Sequence, residues 1–224
     1  MNFLDIAKTV RSLAGIQGTG PTSVVDAQGI EAVIVQFVKD ANVDIQSLRE
    51  DFEFMEATQT FLTVPGQSTY TRATIFNSAD PPLKTYKHGS FCITDLSGQK
   101  HWLREYEYYE TLEHRYLNDT QRSLPKEVGI NAQRSVVVKQ TPDNNYTVQF
   151  KYYRNPQILS VNSDVPWIPS AFHNLLVYKA LEKVAVYLSQ PEIYRGYSVE
   201  TARLAAGLMR ISVPKKRLQA RPIV

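Results

Sequence analysis

Apolar side chains recur at helical spacing in four stretches of the chain, two near each end, and at alternate positions through much of its middle. Residues 2–15 place Phe3, Leu4, Ile6, Ala7, Val10, Leu13 and Ala14 on one face and predict a helix. Gly15-Ile-Gln-Gly-Thr-Gly-Pro21 breaks it, since glycine and proline at that density mean a loop. Thr22 or Ser23 is then expected to cap a second helix reaching about Phe52, with Ile30, Val33, Ile34, Phe37, Val38, Ala41, Ile45, Leu48 and Phe52 turned inward. The segment from Asp164 to Ser189 predicts a third helix, with Pro169 as its start and Pro191 as its stop. Its polar residues Lys179, Glu182, Lys183 and Gln190 fall on one stripe, while Phe172, Leu175, Leu176, Val177, Ala180, Leu181, Val184, Ala185 and Leu188 wrap round the rest. A one-sided helix needs an apolar arc of roughly 100°, and this one has about twice that. Two or more layers must cover it, or one face is reserved for a neighbouring subunit. A last helix is expected from about Ser198 to Ile211, on Val199, Ala202, Ala205, Leu208 and Met209.

Between the helix pairs the period changes to two. Residues 54–64 and 69–75 flank Val64-Pro-Gly-Gln67 and predict strand, turn, strand. Phe91–Thr94 and His101–Leu103 flank Leu96-Ser-Gly-Gln99 as a hairpin. A short helix is expected from Arg104 or Tyr108 to Leu117. The clearest hairpin signal joins Ser135–Gln140 to Tyr146–Tyr153 across Thr141–Asn145; its second arm alternates Tyr146, Val148, Phe150 and Tyr152 against polar residues. The expected fold is α+β: a four-helix bundle built from the N- and C-terminal helices, with a β-rich insertion between them. Its parts are bundle helices in 1–53, the insertion with one short helix in 54–166, closing helices in 167–213, and an extended basic tail in 214–224.

Totals narrow this picture only a little. At 224 residues the chain suits one large domain or a domain carrying a substantial insertion. Its 43% hydrophobic and 21% charged content is that of a folded soluble protein, and a net charge of +3 neither demands nor excludes nucleic acid. One cysteine, Cys92, rules out an internal disulfide framework. No apolar run approaches the ~20 residues that cross a bilayer, so no membrane partner is expected. Met1-Asn-Phe-Leu-Asp5 does not read as a secretory signal, and the chain is expected to be made in the cytosol; Asn118-Asp-Thr and Asn145-Tyr-Thr are therefore read as turns. Thirteen tyrosines suit partly wet contacts such as subunit interfaces.

Candidate chemistry is sparse. The glycine-rich loop at 15–20 lacks the preceding strand and the Lys-Ser/Thr of a phosphate loop. His88, His101, His114 and His173 form no metal-ligand spacing, and no Gly-x-Ser-x-Gly elbow occurs. Glu105, Glu107, Glu110 and Glu113 read as a solvated acidic face or a partner-binding one. No catalytic residue, cofactor or metal is expected. The tail is more informative: Pro214, Lys215, Lys216, Arg217, Leu218, Arg221 and Ile223 combine cations, proline and isolated apolar residues. Such a cluster is commonly just solvated; of the two binding readings, four cations would grip phosphates only weakly and no aromatic is present to stack bases, so docking onto another protein is the better one.

The helix pair, the β-rich middle, the run Val165-Pro-Trp-Ile-Pro-Ser-Ala-Phe-His-Asn-Leu-Leu-Val-Tyr-Lys-Ala-Leu181, the closing helix and the basic tail together resemble the head-to-tail adaptor (connector) proteins of tailed bacteriophages. The resemblance is one of layout over nearly the whole chain and is sharpest at Trp167–Leu181. It implies a non-enzymatic virion protein at the head-to-tail interface, assembled in the host cytoplasm as a ring, usually of twelve copies, beneath the portal protein. It further implies that the ring extends the channel through which genomic DNA passes non-specifically. The ring would receive a downstream tail protein such as a nozzle, a sheath or tube initiator, or a fibre. The C-terminal arm at 213–224 would reach the portal. Two other readings stand beside it. A tail terminator, stopper or tail-tube component would be mainly β, whereas this chain has strong helices at both ends. A nucleic-acid-binding module would carry more charge, clustered on a helix.

Overall fold

The structure, a computed structural model, describes residues 1–78, 82–106 and 122–212. Among these residues it is a mixed α+β protein with five helices and two sheets. The helices are α1 (Phe3–Leu13), α2 (Ile30–Ser47), α3 (Arg72–Phe76), α4 (His173–Tyr187) and α5 (Pro191–Ser212). The strands are β1 (Glu56–Leu62), β2 (Thr69–Tyr70), β3 (Leu83–Tyr86), β4 (Cys92–Thr94), β5 (Lys100–Trp102), β6 (Arg104–Tyr106), β7 (Glu127–Ile130), β8 (Val136–Lys139) and β9 (Thr147–Arg154). The chain divides into two compact units, one made of Met1–Met55 with the chain from Pro156 onward, the other of Glu56–Asn155.

In the helical unit, α1 opens on a reciprocal cap. The Asp5 N–H donates to Asn2 Oδ1 at 2.8 Å, and the Asn2 N–H donates to Asp5 Oδ2 at 3.2 Å. α4 packs against α1, α2 and α5 and buries Leu175, Leu176, Val177, Ala180, Leu181, Val184 and Ala185. Each buried leucine or valine contributes roughly 1.5–3 kcal/mol on leaving water, which makes α4 the centre of this unit. Gly207 lets α5 close on Phe172: a Cβ there would stand 3.2 Å from the ring.

Two helix boundaries differ from the sequence expectation. α2 does not begin at a Thr22 or Ser23 cap and does not reach Phe52. The Val24 N–H is instead held by Asn162 Oδ1 at 2.8 Å, and the chain enters the helix at Gly29, whose φ of +56° only glycine adopts freely. Pro191 does not merely stop α4. The chain turns at Leu188–Gln190, with Ser189 at φ +55°, and Pro191 is the first residue of α5, where its missing N–H costs nothing. α5 consequently starts seven residues before Ser198.

In the β-rich unit, one sheet runs β1-β9-β4-β5 with β3 also on β9, and the other runs β2-β8-β7-β6. Their apolar faces share a core of Tyr70, Phe91, Ile93, Val128, Val136, Val138, Val148 and Phe150. Phe150 is its hub, with the rings of Phe91 at 5.0 Å and Tyr86 at 5.4 Å. The β4–β5 hairpin forms as expected, with Ile93 opposite His101.

The other two hairpin expectations fail. β8 and β9 do not pair: β8 lies between β2 and β7, whereas β9 lies between β1 and β3/β4. Val136, Val137 and Val138 are all buried, as in a strand covered on both faces, while β9 keeps its predicted alternation. The true partner of β8 is β7, which the sequence reading missed. The turn between them is closed by Asn131, whose Oδ1 accepts the Ser135 N–H at 2.8 Å. Likewise β1 and β2 join different sheets, and residues 72–76 form α3 rather than strand. Thr71 caps that helix by accepting the Thr74 N–H at 3.3 Å, and Asn77 ends it in the left-handed region. Arg104–Tyr106 is strand β6, running parallel to β7, so the helix expected from this point does not start at Arg104; the rest of that expectation lies outside the described residues.

Candidate interaction surface

The polar stripe of α4 lies in a groove of the helical unit. Lys179 donates to Glu182 Oε2 at 3.1 Å, and Lys183 pairs with Asp44 Oδ2 of α2 at 2.8 Å. The charges on the groove floor are therefore neutralised within the chain. Around them stand Phe37 of α2, Val186 and Tyr187 of α4, and Tyr194 of α5, enclosing about 500 Å3. The Phe37 and Tyr187 rings meet edge to face at 6.0 Å. Val186 is 68% exposed, Tyr187 56% and Tyr194 44%, so most of the apolar rim faces outward. A second hollow of about 300 Å3 continues along α5 past Leu48, Ser198, Ala202 and Ala205.

α5 deepens the impression of an unfinished surface. Of its 22 residues only Thr201, Leu208 and Ser212 are buried, and Val199 and Ile211 are largely exposed. An apolar groove beside a mostly bare long helix is the kind of surface that protein interfaces use. Sequence reasoning found Lys179, Glu182 and Lys183 but missed Tyr194. The signal was present, because proline at a first helical position would have extended the last helix back over it.

The other residues singled out in the sequence have structural work. The glycines at 18 and 20 fold round Arg11: its guanidinium donates to the Gln17 carbonyl, and its Nε meets Glu31 Oε1 at 2.6 Å. Gly18 has φ +109°, and a Cβ on it would lie 2.9 Å from Arg11 Nη2. Glu105 holds the turn before β4, accepting from His88 Nδ1 at 2.8 Å and from the Gly89 N–H at 2.6 Å. Asp95 folds the β4–β5 turn. The Ser97 hydroxyl, His101 and backbone N–H groups hydrogen-bond its carboxylate and hold it well below the usual carboxylate range. His173 is buried, donating from Nε2 to the Ile168 carbonyl at 3.0 Å and accepting from the Met1 amine at Nδ1, 3.0 Å. Burial, then the adjacent ammonium, holds its pKa below the ordinary value. Glu107, Glu110, Glu113 and His114 lie outside the described residues, as do Pro214, Lys215, Lys216, Arg217, Leu218, Arg221 and Ile223. Among the described residues no three His, Cys, Asp or Glu side chains are grouped to hold a metal, and no helix is long and apolar enough to cross a membrane.

The family model described as SU10 adaptor protein matches residues 1–223. The chain belongs to the SU10 adaptor protein family. The comparison with curated proteins yields no match. As a SU10 adaptor the protein is a bacteriophage structural protein of the virion, from a non-enzymatic family whose role implies contact with portal and tail proteins. The resemblance carried by Trp167–Leu181 and the overall layout thus agrees with the family match.

Proposed function

We propose that this SU10 adaptor assembles into a closed ring, of twelve copies by resemblance, beneath the portal. There it extends the channel for genomic DNA and receives the next tail protein. In this reading α1, α2, α4 and α5 form a four-helix body that makes the ring, and the β-rich insertion between them meets tail components. The basic tail, through Lys215, Lys216, Arg217, Arg221 and the apolar Leu218 and Ile223, docks on the portal. DNA passes without sequence-specific contacts, and assembly takes place in the host cytoplasm.

The observation that carries this reading is the exposed apolar groove between α2, α4 and α5, whose charges are already paired within the chain. Such a surface suits a packed protein neighbour rather than a charged small ligand. Single-particle imaging of the chain co-expressed with its portal tests the proposal. A closed ring seated on the portal is the expected result; a chain that stays monomeric and off the portal overturns it.

A further inference from the structure

A closed ring of identical subunits needs two unlike, mutually complementary patches on each copy, whereas a two-fold dimer uses one patch twice. The helical unit carries two unlike apolar patches. The first is the concave groove of Phe37, Val186, Tyr187 and Tyr194. The second is an exposed apolar loop: in 156–168, Ile158 and Val165 are more than half exposed and Val161 nearly half, and Val25 beside them is 63% exposed.

α2 sets where the two patches lie. Phe37 and Asp44, seven residues apart, share the face that lines the groove. Asn42 donates to the Gln157 carbonyl at 2.7 Å, and Gln46 Oε1 accepts the Gln157 N–H at 3.0 Å, so these residues face the loop. A helix turns about 100° per residue, which sets Asn42 roughly 200° from Asp44. Groove and loop therefore flank α2 on opposite sides of one unit. The loop is also rigidly held. Asp164 accepts the Ser160 and Val161 N–H groups at 2.6 and 2.9 Å, and Gln157 spans to the Trp167 N–H and the Val165 carbonyl. A pre-ordered apolar loop loses little freedom on docking. The groove, with its charges paired internally, offers such a loop an apolar seat.

We infer that the occupant of the α2/α4/α5 groove is the 158–165 loop of a neighbouring copy, making this the head-to-tail contact between subunits. The inference rests on the ring reading and names the two surfaces that close it. Cysteines placed at Val161 and Val186, both exposed, test it in the full chain assembled with its portal and treated with a short bis-maleimide; Cys92 is buried on β4. Chains carrying V161C and V186C together are expected to give a ladder of covalent multimers. A mixture of the two single variants should stop at dimers, and each single variant alone should stay uncrosslinked. Self-crosslinking of V186C alone, or a ring visible by imaging whose double variant gives no ladder, overturns this contact while leaving the ring intact. Absence of any ring in the same images overturns the ring reading and the contact with it.

Discussion

Arg11 shows how one side chain organises a glycine-rich loop between helices. Its guanidinium reaches over Gly18 to pair with Glu31, and the glycine leaves room for it. Replacing Gly18 by alanine forces a Cβ to 2.9 Å from Arg11 Nη2 at a φ of +109°. That substitution is expected to destabilise the chain by about 1–3 kcal/mol, read as a lower urea midpoint with an unchanged slope. His173 carries a second consequence at this scale. Its folded pKa is lowered, by burial first and the Met1 ammonium second, so the folded state binds fewer protons than the unfolded chain between the two values. Stability from this residue is fully present above the unfolded value of about 6.5 and declines as pH falls through that value toward the folded one. Urea midpoints measured from about pH 7.5 down to about pH 5 should show this decline. His173→Gln, which can still donate and accept but does not titrate, should flatten it.

At the scale of elements, the segment 156–168 matters as much as any helix, although it has almost no regular structure. Asn42 and Gln46 of α2 hold Gln157 by its backbone, and Gln157 in turn holds Trp167. Asn42→Ala leaves the Gln157 carbonyl without that donor and is expected to cost about 1–3 kcal/mol. Hydrogen exchange at the Gln157 and Trp167 amides should speed up more than at α4 amides. None of this was legible beforehand, because Asn42 and Gln46 read as polar positions on an amphipathic helix and nothing local shows their distant partner. The four longer helices were legible, as in α4, where Leu175, Leu176, Ala180, Leu181 and Val184 carry a period that local chemistry alone produces; the short α3 was not. Strand pairing was not. Val136–Lys139 and Thr147–Arg154 are strands with a turn-like connection, yet each pairs elsewhere. The choice is made by which faces can be covered: β8 needs apolar cover on both sides and β9 on one. That is a property of the sheets, not of the seven residues between the strands. Tyr194 was lost for a smaller reason, Pro191 being read as the end of one helix rather than the start of the next.

At the scale of the whole molecule, the described residues concentrate unpartnered apolar surface on the helical unit: the groove, the loop and most of α5. Stability of the separate chain and attachment to a partner should therefore depend on different residues. Among the described residues, the core of α4 is covered by α1, α2 and α5. The basic tail has the opposite character, with two prolines and four cations and no helical period to bury. Its chemistry suits an arm that becomes ordered on another protein. Deleting residues 214–224 is accordingly expected to leave helical circular dichroism and the thermal midpoint close to those of the full chain, while abolishing co-purification with the portal. Loss of solubility or of helical signal would assign the tail to the core instead. Raising salt separates the tail's two kinds of contact. If its cations carry the attachment, binding should weaken steeply with ionic strength; if Leu218 and Ile223 do, binding should persist in high salt and fail in a Leu218→Ser, Ile223→Ser variant.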